Sequence, residues 1–165
     1  ITGLIGQYAH GNEPSHHITY LYAYAGQPWK TADKVRYILD SLYSDKPDGL
    51  SGNEDVGQMS AWYIFSALGF YPVNPANGMY VFGSPLVDNA TLHIGRGKTF
   101  AIQVKSNSAE NKYIQKITLN GKLYPKSFLL HKDILKGGSL VIEMGSKPSL
   151  TWGVQPGDRP YSAIR

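Results

Sequence analysis

The stretch Gly52-Asn53-Glu54-Asp55-Val56-Gly57-Gln58-Met59-Ser60-Ala61-Trp62-Tyr63-Ile64-Phe65-Ser66-Ala67-Leu68-Gly69-Phe70-Tyr71-Pro72 decides the fold, because the pattern of the chain changes at its end. Met59, Trp62, Tyr63 and Phe65 recur at helical spacing over Asp55 to Leu68 and leave little of the circumference polar, which predicts a buried helix closed by Gly69. Asp55 falls in the first turn of that helix. After Tyr71-Pro72 the period becomes two: Phe100, Ile102 and Val104 alternate with other residues, as do Ile117 and Leu119, then Leu140, Ile142 and Met144. Period two means half-buried strands.

Upstream of the quoted stretch the pattern is helical. Ile18, Leu21, Tyr22 and Ala25 form a stripe at i, i+3, i+4 and i+7, predicting a helix over Ser15 to Gly26 with Pro14 at its first position. A second helix is predicted over Thr31 to Tyr43, with Val35, Ile38, Leu39 and Leu42 inward and Thr31 as N-cap. Downstream, Asn120-Gly121 between Ile117-Thr118-Leu119 and Lys122-Leu123-Tyr124 signals a hairpin, because a type I′ turn needs positive φ twice. These patterns give an α+β chain of three helices and about six strands. The boundary falls near residue 72: helices in 1–72, an antiparallel β unit in 73–165. The helical part is too small to stand alone and reads as the last helices of a larger helical array.

Composition excludes several functions. The net charge is +4, but Lys98, Lys105, Lys112, Lys116, Lys122, Lys126 and Lys132 are scattered among polar residues, which describes a solvated surface and not a nucleic-acid groove. The absence of cysteine removes disulfides, thiolate zinc sites and cysteine nucleophiles, and fits a bacterial context. No run approaches the roughly 18 apolar residues of a membrane span. The aromatic fraction of 12% suits sugar stacking and a large core equally. Asn89-Ala90-Thr91 matches a glycosylation acceptor pattern and is read as chance.

Two segments share a motif: His10-Gly11-Asn12-Glu13-Pro14-Ser15-His16-His17, and Gly52-Asn53-Glu54-Asp55. Each is a Gly-Asn-acid turn leading into a predicted helix. A helix start offers unpaired N–H groups and partial positive charge, which hold a carboxylate ionised. That suits a general base or metal ligand, and it makes Asp55 a base candidate. Capping alone explains such residues too, and on spacing both readings stay open. His16 and His17 are adjacent and point to different faces, which argues against a histidine zinc site. A hard cation on oxygens of Asn12 and Glu13 fits better.

At these residues the chain resembles glycoside hydrolase family 92, calcium-dependent exo-α-mannosidases. The resemblance lies in His10 to Tyr20, Ala25 to Thr31, Asp48 to Asp55, Gly57 to Tyr63 and Phe65 to Pro75. It covers 10–75 densely and is looser beyond residue 80. It implies the last helices of an (α/α)6 barrel-type catalytic domain followed by a β-sandwich-like unit, and inverting removal of terminal α-mannose from glycans. It further implies Asp55 as the base, Glu13 and Asn12 as Ca2+ ligands, and His10, Asn12, Glu13 and Asn53 as sugar contacts. Some members of the family carry aspartate where this chain has Asn53. The family's general acid has no match in 1–165, so the resemblance makes the remaining N-terminal part of the enzyme a partner and the isolated chain inactive. The expected location is periplasmic, cell-surface or secreted. A non-catalytic carbohydrate-binding module is the competing reading, supported by the aromatic content and the β half.

Overall fold

The computed structural model describes residues 3–162. A small hairpin of β1 (Leu4–Ile5) and β2 (Tyr8–Ala9) leads into 3-10 turns at Glu13–Ser15 and Ile18–Tyr20, then α1 (Leu21–Tyr24) and α2 (Pro28–Ser41). A 3-10 turn at Asp55–Gly57 precedes α3 (Gln58–Leu68). The β part comprises β3 (Phe70–Asn74), β4 (Met79–Phe82), β5 (Asn89–His93), β6 (Thr99–Lys105), β7 (Tyr113–Leu119), β8 (Lys122–Leu123), β9 (Phe128–Leu130) and β10 (Gly138–Gly145), with the short α4 (His131–Ile134) between the last two. The architecture is mixed α+β, with mainly antiparallel sheets.

The helices differ from the sequence expectation in four ways. Only Leu21–Tyr24 of the span Ser15 to Gly26 is α-helical. The 3-10 turns before it wind at about 3.0 residues per turn against 3.6, so the inward face drifts off the α-helical stripe. Tyr20 and Ala23 are therefore buried while Ile18, Leu21 and Tyr22 are exposed. In α2, Pro28 occupies the first turn and Gln27 the N-cap; Thr31 is not a cap but is fully buried inside the helix. Pro28 suits that place because its missing N–H would have had no intrahelical partner. Val35, Ile38 and Leu39 do face inward as expected. In α3, Met59 and Trp62 are buried but Ile64 is 58% exposed, so the helix is covered on one side and not all round. Finally, α3 begins at Gln58, because Val56 (φ 56°) and Gly57 (φ 76°) turn the chain left-handed between Asp55 and the helix.

The strands follow the alternation closely. In β6 Phe100, Ile102 and Val104 are buried and the residues between them exposed; in β10 Leu140, Ile142 and Met144 are buried. Leu119 pairs with Lys122 across Asn120 (φ 51°) and Gly121 (φ 76°), the hairpin expected there. Five strands form one sheet in the order β5-β6-β10-β7-β8, and three form a second in the order β3-β4-β9. One departure from an all-antiparallel unit is the β6–β10 pair, which is parallel. It arises because β10 inserts between β6 and β7, running antiparallel to the latter.

One apolar core joins the two sheets, with Phe70, Phe82 and Leu129 from the smaller and Phe100, Ile102, Ile117, Leu140 and Ile142 from the larger. A second gathers Tyr20, Val35, Ile38 and Leu39 around Trp62, with Val81 from β4. Each fully buried large side chain contributes about 1.5–3 kcal/mol before entropy is counted. The second core holds α3 in place, and with it the loop at residues 52–57.

Candidate functional site

The two Gly-Asn-Glu loops meet. A Cβ on Gly52 would stand 3.0 Å from the Gly11 carbonyl oxygen, and Gly52 has φ +98°. Both facts require glycine there: the backbones are too close, and the conformation is one other residues avoid. Gln58 closes the contact from the helix side, its amide N–H donating to His16 Nδ1 at 3.0 Å. The indole N–H of Trp62 donates to the His16 carbonyl at 3.1 Å. The motifs therefore form one unit in space.

Behind this contact lies a closed polar seam. His10 and His16 are buried and stacked, with ring centroids 4.6 Å apart. Tyr43 donates its hydroxyl proton to the Met59 carbonyl (3.1 Å), so the 2.6 Å contact with His10 Nε2 has the imidazole as donor. His10 Nδ1 then accepts from the Tyr8 hydroxyl at 2.7 Å. Burial, with His16 beside it, pushes the His10 pKa down to about 3, in keeping with a neutral ring. His16 Nε2 donates to the His10 carbonyl at 2.9 Å. Burial also lowers the His16 pKa, against the opposing pulls of that carbonyl and of Glu13 and Glu54.

His10, expected to touch sugar, is thus fully buried with both ring nitrogens engaged, and it supports the loop from behind. Asn12 is exposed, with its carbonyl held by Ser15. Glu13 is half-buried, and its Oε1 is buried without a hydrogen-bond partner. It lines a cavity of ≈ 250 Å³ together with His17, Gln58, Phe65 and Tyr71. Asn53 and Asp55 are exposed on the neighbouring loop.

The hydrogen bonds expected at Asp55 belong to Glu54. The Glu54 carboxylate accepts from the backbone N–H of Met59 (2.8 Å) and Ser60 (3.0 Å), and from the Ser60 hydroxyl. The left-handed turn at Val56-Gly57 swings Asp55 off the axis of α3 and brings Glu54 onto it. Glu54 consequently fills the capping role of an N-terminal carboxylate. Asp55 is left uncommitted to the helix.

Oxygen donors of Asn12 and Glu13 fit a hard cation, and the unpartnered Glu13 oxygen is the observation in favour. No group of three or more His, Asp or Glu placed to hold a metal occurs among the described residues. A cation needing six to eight oxygens would therefore require further donors beyond these two. The sequence alone points to no role for Glu54, Gln58 or Tyr43. Glu54 and Gln58 lie within the second motif, but the left-handed turn at Val56-Gly57 decides which carboxylate caps, and the motif does not signal a positive φ at Val56.

The model of the glycosyl hydrolase family 92 catalytic domain matches residues 1–146, and the chain belongs to this family. A family GH92 alpha-mannosidase from Bacteroides thetaiotaomicron is 44% identical and superposes with a TM-score of 0.94 over 99% of this chain and 22% of its own. The family GH92 inverting mannosidase from Bacteroides thetaiotaomicron VPI-5482 is 48% identical, with a TM-score of 0.89 over 95% of this chain and 21% of its own. An uncharacterized secreted glycosidase of Arthroderma benhamiae is 37% identical over 155 residues, 92% of this chain and 20% of that protein. The chain thus spans about a fifth of the length of these relatives.

Proposed function

We propose that this chain supplies one side of the active site of an inverting exo-α-mannosidase acting on terminal α-mannosyl residues of glycans. Asp55 activates the attacking water and Glu13, with Asn12, holds Ca2+ in the sugar subsite. The observation that carries this reading is the meeting of the two Gly-Asn-Glu loops, which sets an unpartnered Glu13 oxygen beside the loop of Asp55. The relatives named as α-mannosidase and inverting mannosidase support the substrate and the stereochemical course.

Inversion needs two carboxyl groups on opposite faces of the sugar, about 6.5–9.5 Å apart. In this reading the Asp55 carboxylate accepts a proton from water as its oxygen attacks the anomeric carbon. The glycosidic C–O bond breaks, and an acid outside this chain protonates the departing oxygen. Asp55 suits the base role because Glu54 takes the helix-capping hydrogen bonds in its place. Asn53 beside it offers an amide, and it contacts the water or sugar without adding charge. A bound Ca2+ would supply a template that orients sugar hydroxyls.

The helices of 1–72 belong, in this proposal, to an (α/α)6 barrel completed by the remaining, N-terminal part of the enzyme, and 73–165 form the β unit packed on it. No helix among the described residues is long and apolar enough to cross a membrane. A periplasmic, cell-surface or secreted location is proposed, with the secreted relative in support.

The test is Asp55→Ala in the full-length protein. Release of mannose from an α-mannoside is expected to be abolished with ligand affinity largely kept, and chelation of Ca2+ is expected to lower activity reversibly. The 165-residue chain alone is expected to give no turnover. Undiminished hydrolysis by Asp55→Ala refutes the base assignment. A full-length protein that binds mannosides but never hydrolyses them is a carbohydrate-binding module instead.

A further inference from the structure

We infer that Gln58 and His16 are a positioning pair that fixes the Glu13 loop against the Asp55 loop; this rests on the roles proposed above for those two carboxylates. Gln58 follows Asp55 by three residues and His16 follows Glu13 by three, so the pair ties the two loops by side chains at matching positions.

The direction of every hydrogen bond in the tie follows from its ends. The His10 carbonyl can only accept, so the His16 Nε2 at 2.9 Å carries the proton. A neutral His16 then has a lone pair at Nδ1, and the group 3.0 Å away must be the Gln58 amide nitrogen, not its oxygen. The same nitrogen donates its second proton to the Tyr71 hydroxyl, also at 3.0 Å. Both amide protons are thereby spent, one on the Glu13 loop and one on β3.

The backbone of His16 is tied to the same helix, through Trp62, one turn further along α3. His16 is thus gripped by α3 at ring and carbonyl, while its other nitrogen holds the residue that precedes Gly11. His16 is buried and its ring is stacked on His10; water from the adjoining cavity can bond the lone pair that loss of Gln58 would leave, but it does not tie the helix to the loop. Among neutral side chains of that length only glutamine offers two donors: methionine matches the length and has none, and glutamate presents acceptors to a lone pair. The pair therefore sets the register of one loop on the other. Displacement of a reacting group by about 1 Å costs roughly 100-fold in rate. That magnitude makes loss of the tie visible in turnover.

The experiment uses the full-length protein and an aryl α-mannoside. Parent and Asp55→Ala are assayed first; a parent without turnover, or an active Asp55→Ala, overturns the catalytic reading and the pair with it. Given an active parent, Gln58→Met is expected to lower kcat roughly 10–100-fold. KM is expected to change much less, at a temperature where circular dichroism shows the variant folded. His16→Phe is expected to do the same, and the double variant to be no slower than the slower single one, because both remove one tie. Full kcat in a folded Gln58→Met, or multiplicative losses in the double variant, overturns the pairing while leaving the catalytic reading intact. Where Gln58→Met does not fold, Gln58→Asn replaces it under the same criteria, keeping the amide but falling one methylene short.

Discussion

Replacing Arg36 by Met tests whether the helical and β parts are locked together by one buried cation. Arg36 lies on α2 and is 6% exposed. Its guanidinium donates to Ser84 Oγ (3.2 Å), the Pro85 carbonyl (2.5 Å), Asn107 Oδ1 (3.1 Å) and the Ser108 carbonyl (3.4 Å), all in connections of the β part. Burial lowers its pKa, against a smaller opposing pull from Asp40. Charge-assisted hydrogen bonds contribute about 1.5–3 kcal/mol each, and the two shortest dominate here. Desolvation of the cation offsets several kcal/mol of that gain. Methionine keeps the apolar stem but strands the Pro85 and Ser108 carbonyls, at about 1–3 kcal/mol for each fully buried one. The net loss is about 2–4 kcal/mol, or a drop of roughly 5–10 °C in the Tm of the transition that contains this segment. Scanning calorimetry of the full-length protein at a fixed scan rate measures it. Arg36→Lys should lose nearly as much, since one ammonium cannot span four acceptors. A shift below roughly 2 °C for Arg36→Met would refute the clamp, because desolvation would then have cancelled it.

Three further outcomes are expected. Val56→Gly should stabilise by about 0.5–1 kcal/mol: the left-handed conformation costs a β-branched residue about 1–2 kcal/mol, glycine returns about 0.5–1 through unfolded-state entropy, and the fully exposed side chain has no packing to lose. A lower Tm for that variant would contradict the strain. Glu54→Ala should destabilise by about 1 kcal/mol through loss of the α3 cap, read as a lower urea midpoint at constant m. Burial raises the pKa of Tyr8, Tyr20 and Tyr43, and that of Tyr124 to about 12. Between pH 10 and 12 the unfolded chain has released these phenolic protons while the folded one keeps them, so stability is full below pH 10 and falls above it. Equilibrium unfolding should steepen with each alkaline step, and Tyr124→Phe should flatten it by about one proton.

What the sequence revealed and what it hid divide along a physical line. The strands of the larger sheet were legible because Phe100, Ile102, Val104, Leu140, Ile142 and Met144 alternate, and alternation survives whichever neighbour a strand pairs with. The parallel β6–β10 pair was not legible, since strand order is a long-range property that no local period encodes. The hairpin at Asn120-Gly121 was legible because its turn demands those residues. The 3-10 turns after Pro14 are not distinguishable from α-helix in the sequence because the two periods differ by only about 0.6 residue per turn, too little to separate over so few positions. Resemblance of residues 10–75 disclosed the family, yet it could not place the hydrogen bonds.

The most consequential of these differences concerns the adjacent carboxylates Glu54 and Asp55. Two left-handed residues between Asp55 and α3, Val56 and Gly57, assign the helix N-terminus to Glu54, so the two acids do not share a role even though they are neighbours in sequence. The Glu54 carboxylate is held against the start of α3 by three donors, whereas Asp55 is free of them and is the one left to meet a water. Moving the turn should therefore move the chemistry. Deleting Val56 would remove one of the two left-handed residues and shorten the turn, bringing Asp55 toward the cap. The loss of turnover expected from that deletion should exceed that of Glu54→Ala, which leaves the turn in place. Equal losses from the two changes would mean that Asp55 owes nothing to the turn, and the division of labour proposed for the pair would fall.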